Sequence, residues 1–173
     1  GASVGGARVE GASLIAARLR GAVLSEARLE GADLGRARLE GANLSKAVLK
    51  AANLFGAQLG GAILSKAGLE GADLRETQAQ SADWAGATFS ASPAQSADFT
   101  DGRNLTQRQL DEGPMIGDET TILPRDAETG AQLVVWSCWE TPPPNLDAML
   151  ERAAFPFGDV ETLRAQLLCS DTN

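Results

Sequence analysis

Histidine and tyrosine are both absent from this 173-residue chain, and only two cysteines are present. Without histidine, neither a Ser-His-Asp triad nor a histidine-ligated metal centre can form. Two cysteines alone also fall short of the four ligands that structural zinc requires. The sequence contains no phosphate-binding loop, dinucleotide-binding fingerprint or nucleophile elbow. We therefore expect no catalytic, cofactor-binding or metal-binding residues, and no enzyme activity.

A long apolar run is also missing, because no stretch approaches the roughly twenty apolar residues that a membrane-spanning helix needs. We therefore expect no membrane span within these residues. No initiator Met opens the chain, and Gly1 and Ala2 are already in phase with the repeat described below. We expect the sequence to be a fragment of a longer chain.

Charge is divided unevenly along the sequence, whose net charge is −8. Residues 1–100 carry ten Lys or Arg and ten Asp or Glu, whereas residues 101–173 carry five basic and thirteen acidic side chains. The first hundred residues are therefore neutral overall, and the excess of negative charge lies in the remainder. This distribution disfavours nucleic acid as a partner.

One five-residue phrase, small-x-apolar-x-x, is repeated twenty times without insertion from Ala2 to about Asp101. A period of five matches neither the 3.6-residue turn of a helix nor the two-residue alternation of a strand. The small and apolar residues lie two apart, so a short extended triplet points both to one side. The other two residues must turn the chain, and they are rich in glycine, which tolerates tight turns. The pattern predicts an all-β solenoid whose inner wall is Ala and Leu.

A slower rhythm indicates how many sides each coil has. Arg and Glu recur every ten residues, as in Arg8, Arg18, Arg28 and Arg38. This alternation is natural when opposite sides of a coil resemble each other, so the number of sides is even. Four sides of five residues give a twenty-residue coil, and a hundred residues give about five coils.

The phrases Gly31-Ala-Asp-Leu-Gly, Gly41-Ala-Asn-Leu-Ser and Gly71-Ala-Asp-Leu-Arg resemble those of the pentapeptide-repeat proteins. The resemblance covers residues 1–101, and it implies a right-handed quadrilateral β-helix with Ala and Leu inside. Three kinds of function remain open: the regular repeat itself favours the first, and the resemblance implies the other two. The first is a structural or protein-interaction module; the second is the soluble domain of a membrane-anchored protein; the third is a DNA-mimicking binder of a type II topoisomerase. The neutral charge of residues 1–100 disfavours the third, because duplex DNA carries about one charge per 1.7 Å.

Residues twenty apart should stack on the outside of the solenoid. This spacing predicts a polar column and two arginine stacks, Arg8 on Arg28 and Arg18 on Arg38, with glutamates interleaved. We interpret these walls as solvated ion pairs rather than as an arginine-lined docking face. Ile15 and Phe55 fall on one side, where we expect a small exposed apolar spot. The predicted polar column consists of Ser13, Asp33, Asn53 and Asp73.

The last two coils should differ from the first three. Ala79 and Ala94 replace a Leu and remove core volume, whereas Trp84, Phe89 and Phe99 introduce aromatic rings at inward positions. We expect the rings to fill the space that the missing Leu side chains leave.

Residues 102–130 are predicted to form a cap over the open edge of the last coil. The segment from Asn104 to Gly113 reads as a short helix, with a capping box formed by Thr106 and Gln109. Similar segments often follow the repeats in bacterial members of the family. We interpret the acidic pair Asp118 and Glu119 as a turn rather than a cation site.

Residues 131–173 are predicted to form a small αβ appendage, with a strand over residues 132–139 and two helices after Pro144. Cys138 and Cys169 both lie there. Either they form a disulfide that staples this small unit, or they are two buried thiols. A cytoplasmic location is favoured, and a periplasmic one if the two cysteines are bonded.

The partner that the sequence favours is another protein of unknown identity. The first coil begins with Val4 and Val9 and has no element to cover them. We expect a homo-dimer through this open solenoid end, or an upstream segment that covers it.

Overall fold

The computed structural model describes residues 3–113, 115–117 and 120–133. Parallel bridges join residues twenty apart in four columns, so each coil has four sides. We number the sides in chain order by these columns. Side 1 contains the bridged residues Ser3, Val23, Asn43, Ile63, Asp83 and Arg103, and side 2 contains Arg8, Arg28, Val48, Gly68 and Thr88. Side 3 contains Ser13, Asp33, Asn53 and Asp73, and side 4 contains Arg18, Arg38, Gln58, Gln78, Asp98 and Ile122.

Backbone hydrogen bonds run between coils in the same pattern at each side. The Leu24 amide donates to the Asn43 carbonyl at 2.7 Å, and the Asn43 amide donates back to the Ala22 carbonyl at 2.9 Å. Each corner is closed by a further bond, such as the one from the Ala27 amide to the Leu24 carbonyl at 3.1 Å. The triplet-and-turn interpretation of the repeat is therefore confirmed.

The interior is filled by the small and apolar positions of the repeat. From Ala27 to Leu74 every Ala and Leu at these positions has no exposed surface. The first coil is less covered, since Val4 is 40% exposed and Val9, Leu14 and Leu19 are only partly buried. The core is thus a column of stacked Leu and Ala that is best enclosed in the middle coils.

The corners adopt a left-handed backbone conformation. The residue before each small position, from Gly6 to Asp101, has φ between +51° and +67°. Glycine occupies fewer than half of these corners, and charged residues such as Arg36 and Lys46 adopt the same conformation. The coil geometry therefore imposes a left-handed corner even where the side chain disfavours it.

The regular elements of the described chain lie in the last coil and directly after it. Strand β1, Ser92–Pro93, pairs in parallel with β2, Met115–Ile116. Helix α1, Gln107–Glu112, lies between them in sequence, and its Leu110 is buried. The Phe99 amide also donates to the Ile122 carbonyl at 2.8 Å, so β2 and Ile122 extend the bridges of the last coil on two sides.

Candidate interaction surfaces

The capping box predicted at the start of the helix is confirmed. The side chain of Thr106 accepts from the Gln109 amide, and the Gln109 side chain accepts from the Thr106 amide. The Asp126 carboxylate accepts from the Gln107 amide and from Thr129. These hydrogen bonds lower the pKa of Asp126 to about 2, and the bond from Gln107 contributes most. Asp126 thus ties the N-terminus of α1 to the following turn.

The predicted end of the helix is also confirmed, but the backbone shows a further reason for glycine there. Gly113 has φ −147° and its amide donates to the Gln109 carbonyl at 3.1 Å. A Cβ at this position would lie 1.7 Å from the Phe89 carbonyl oxygen. Glycine is required here because the chain passes against the last coil.

A depression of about 570 Å³ lies beside the cap, between α1 and the corner at Gly86. Several of its polar groups are already engaged within the protein. Arg108 contacts Glu112 at 2.8 Å, and the side-chain Nε2 of Gln109 donates to the Trp84 and Ala87 carbonyls at 2.9 and 3.0 Å. Within the described ranges no group of three or more Cys, Asp or Glu is placed to hold a metal ion.

The polar column predicted on side 3 is confirmed, and its hydrogen bonds are internal. The Asn53 side chain donates to Asp33 at 2.9 Å, and Asp33 also accepts from the Gly35 amide at 3.0 Å. Asp73 is only 1% exposed and contacts the Arg75 guanidinium at 2.6 Å. This column stabilises the stacking of coils.

The arginines of side 2 are neutralised as expected. Glu10 lies between Arg8 and Arg28, at 3.3 and 3.1 Å from their guanidinium nitrogens. Arg28 also contacts Glu30 at 3.2 Å. Solvated ion pairs are therefore the correct interpretation of this wall.

Side 4 departs from the expected interleaving of glutamates. Glu40 contacts Arg20 at 3.3 Å and Arg38 at 3.7 Å. Among the described residues, Arg18 and Arg36 have no ion-pair partner. The expectation that glutamate balances nearly every arginine is therefore wrong here. Counting charges by side, rather than over the first hundred residues, would have revealed this.

The residues of the expected apolar spot have different environments. Ile15 is 59% exposed, whereas Phe55 is half-buried and has the Arg75 guanidinium 5.7 Å from its ring centroid. Gly35 occupies the coil between them and is buried. Ile15 therefore provides the larger exposed apolar surface of the two.

The inward aromatic residues form a packed cluster. Trp84, Phe89 and Phe99 are almost fully buried, and the Trp84 ring lies 5.7 Å from Phe89 and 5.4 Å from Phe99 between centroids. The bridge register places Ala79 in the coil before Phe99. This stacking agrees with the expectation that rings fill the volume a missing Leu leaves.

Several sequence-based predictions fall on residues outside the described part of the chain. They are the turn at Asp118 and Glu119, the two helices after Pro144, the pairing of Cys138 with Cys169, and residues 134–139 of the predicted strand. Gln132, at the start of that strand, forms an antiparallel bridge with Arg125. In the described ranges no helix is long and apolar enough to cross a membrane.

Comparison with known families identifies the repeat. Residues 2–41 and 32–71 match the family model described as pentapeptide repeats, which is found in 8 copies. Residues 2–71 of the β-helix are pentapeptide repeats. Members of this family fold as right-handed quadrilateral β-helices and act as protein-interaction modules, and the four bridge columns agree with that four-sided form.

Three solved structures of pentapeptide-repeat proteins illustrate the similarity. HetL from the cyanobacterium Nostoc sp. strain PCC 7120, involved in heterocyst differentiation regulation, is 19% identical, with 75% of this chain and 80% of HetL covered and a TM-score of 0.39. Rfr23 from the cyanobacterium Cyanothece 51142 is 23% identical over 70% and 90% of the two chains, at a TM-score of 0.40. QnrB1, a plasmid-mediated fluoroquinolone resistance protein, is 18% identical, with 76% of this chain and 72% of QnrB1 covered and a TM-score of 0.33. No curated protein matches the sequence.

Proposed function

We propose that this pentapeptide-repeat chain is a non-enzymatic structural or protein-interaction module. The observation that carries the proposal is the filled interior: from Ala27 to Leu74 the repeat side chains leave no exposed core surface. A solenoid packed in this way offers regular outer walls to a macromolecule. A ligand-sized apolar cavity, which is the usual setting of an enzyme site, has no room inside such coils.

The proposal includes the finer division of the chain. We place about five coils in residues 1–101, a cap in residues 102–130 and a small αβ appendage in residues 131–173. Bridges at a constant spacing of twenty, from Ser3 to Arg103, support the coil count. The appendage rests on the sequence pattern alone.

The absence of a continuous acidic surface on sides 2 and 4 argues against imitation of duplex DNA, because such a mimic requires one. Side 2 pairs its arginines with glutamates, and side 4 begins with a cluster of arginines. A protein partner without a DNA-like binding site therefore fits the walls better than a topoisomerase.

The test is capture of a protein partner with the full-length protein, followed by reconstitution from purified components. We expect one protein to bind saturably, with binding that disappears when the β-helix is unfolded by a charged core substitution such as Leu44→Asp. If no protein reproduces binding with purified components, or if the purified chain turns over a substrate, the proposal is wrong.

A further inference from the structure

The start of side 4 carries a concentration of positive charge. Residues 15–20 and 35–40 contain four arginines and one glutamate. We call the set Arg18, Arg20, Arg36 and Arg38 the side 4 arginines. Arg18, Arg20 and Arg36 are exposed, and Arg38 is half-buried with 38% of its side chain exposed.

The opposite wall provides an internal comparison. Side 2 stacks Arg8 on Arg28 in the same way that side 4 stacks Arg18 on Arg38. On side 2, Glu10 bridges the two guanidinium groups at 3.3 and 3.1 Å. The same fold and the same spacing can therefore accommodate a neutralised arginine stack.

Side 4 lacks that bridge. Glu40 contacts Arg20 and Arg38, whereas Arg18 and Arg36 make no ion pair with any described residue. Like charges stacked directly across neighbouring strands repel each other, so this arrangement opposes folding. The nearest acid on the adjoining side, Asp33, already accepts hydrogen bonds from Gly35 and Asn53.

The donors of this surface are only partly satisfied within the protein. Two buried atoms here have no hydrogen-bond partner in the described structure: the Nε atom of Arg38 and one carboxylate oxygen of Glu40. Arginine forks bind carboxylates through two parallel hydrogen bonds, so unpaired guanidinium groups favour carboxylates as ligands. Ile15, 59% exposed, lies at the preceding corner and adds apolar contact area.

We propose that the side 4 arginines dock an acidic segment of a partner protein, with Ile15 contacting an apolar residue of that segment. This inference rests on the proposed function and assigns its binding surface. A long polyphosphate backbone is a poorer fit than a short acidic segment, because it would extend beyond this small patch and be repelled by the rest of a chain whose net charge is −8. The arginines occupy two successive coils, about 4.8 Å apart, so a short extended segment is sufficient to reach them all.

The test measures fluorescence anisotropy of a labelled peptide, six glutamates with one central leucine, titrated with the full chain. We expect saturable binding that weakens with added salt. The double variant Arg18→Ser/Arg36→Ser should weaken binding at least tenfold. The matched control Arg8→Ser/Arg28→Ser removes the same charge from side 2 and should change affinity less than twofold.

Further measurements keep the result interpretable. Thermal unfolding of each variant checks that the fold is retained, and Arg18→Lys/Arg36→Lys, which keeps the charge, should bind with intermediate affinity because lysine lacks the fork. No peptide binding, or equal losses in both serine variants, would overturn the proposal. Tighter binding of single-stranded DNA would also do so, as would a dimer that only the side 4 variant dissociates.

The outcome separates this inference from the function it rests on. A captured partner whose affinity is unchanged by Arg18→Ser/Arg36→Ser would refute the side 4 site and leave the interaction module intact. Failure to capture any partner, alongside side 4-dependent peptide binding, would contradict the proposed function alone.

Discussion

Ala51 and Ala52 are neighbours in sequence but have opposite roles in the coil. Ala51 occupies a corner at φ +55°, where a Cβ is disfavoured, whereas Ala52 points into the core and has no exposed surface. The same chemical change at the two positions should therefore have opposite effects.

We expect Ala51→Gly to raise the free energy of unfolding by about 0.5–1 kcal/mol, because relief of left-handed strain exceeds the added chain entropy. Ala52→Gly should lower it by about 1–2 kcal/mol, since it removes a buried methyl and adds entropy. Chemical denaturation measures both. Destabilisation by Ala51→Gly would show that the corner conformation is not strained.

Asp126 makes the stability of the cap depend on pH. Its pKa is lowered to about 2 in the fold from an ordinary value of 3.8. A carboxylate with a depressed pKa stabilises the fold fully above its unfolded value, and this contribution is lost as the pH falls from about 4 to 2.

We expect Asp126→Asn to lower the Tm at pH 6, and the difference from wild type to shrink as the pH approaches 2. Circular dichroism melts between pH 6 and pH 2 measure this. Glu128→Gln is the control, because Glu128 contributes its backbone amide rather than its carboxylate to this turn. A constant Tm difference at every pH would contradict the account.

At the scale of elements, α1 docks on the last coil through close backbone contact. Gly113→Ala would place a methyl group 1.7 Å from the Phe89 carbonyl oxygen, so the chain must shift. We expect a loss of about 2–4 kcal/mol, in the range of severe steric substitutions. Gly60→Ala should be nearly neutral, since its nearest contact would be 3.9 Å away. Denaturant unfolding of both variants measures this, and equal effects would refute the close contact.

The aromatic cluster is an element-scale solution to an uneven core. Phe99 stacks on Ala79, which in turn stacks on Leu59, according to the bridge register of side 4. A large ring over a small methyl fills the volume that two leucines fill elsewhere. The two positions should therefore be energetically coupled.

We expect Ala79→Leu and Phe99→Leu to destabilise individually, the first by overpacking and the second by leaving a cavity. The double variant should recover about 1–3 kcal/mol relative to the sum of the two single effects. Ala79→Leu combined with Leu29→Val, two coils away, serves as the additive control. Additivity in the Ala79 and Phe99 cycle would refute compensation.

For the whole molecule, the sequence was sufficient to predict the coil. Uninterrupted repetition determines which residues face inward, and the short helix has a local capping signal at Thr106. The close approach of Gly113 to Phe89 could not be predicted, because it joins segments that only the docked cap brings together. The unbalanced charge of side 4 was missed because neutrality was counted over a hundred residues and not along each wall.

The central claim is that Ala and Leu fill the interior of each coil while the residues between them face outward. Thiol accessibility tests it most directly, in a chain whose Cys138 and Cys169 are replaced by serine. Single cysteines at Asn43 and Leu44 differ by one position in the repeat, and only Leu44 is fully buried. We predict that the cysteine at position 43 reacts with a soluble disulfide reagent in seconds to minutes. The cysteine at position 44 should react only on unfolding, and equal rates at the two positions would contradict the account.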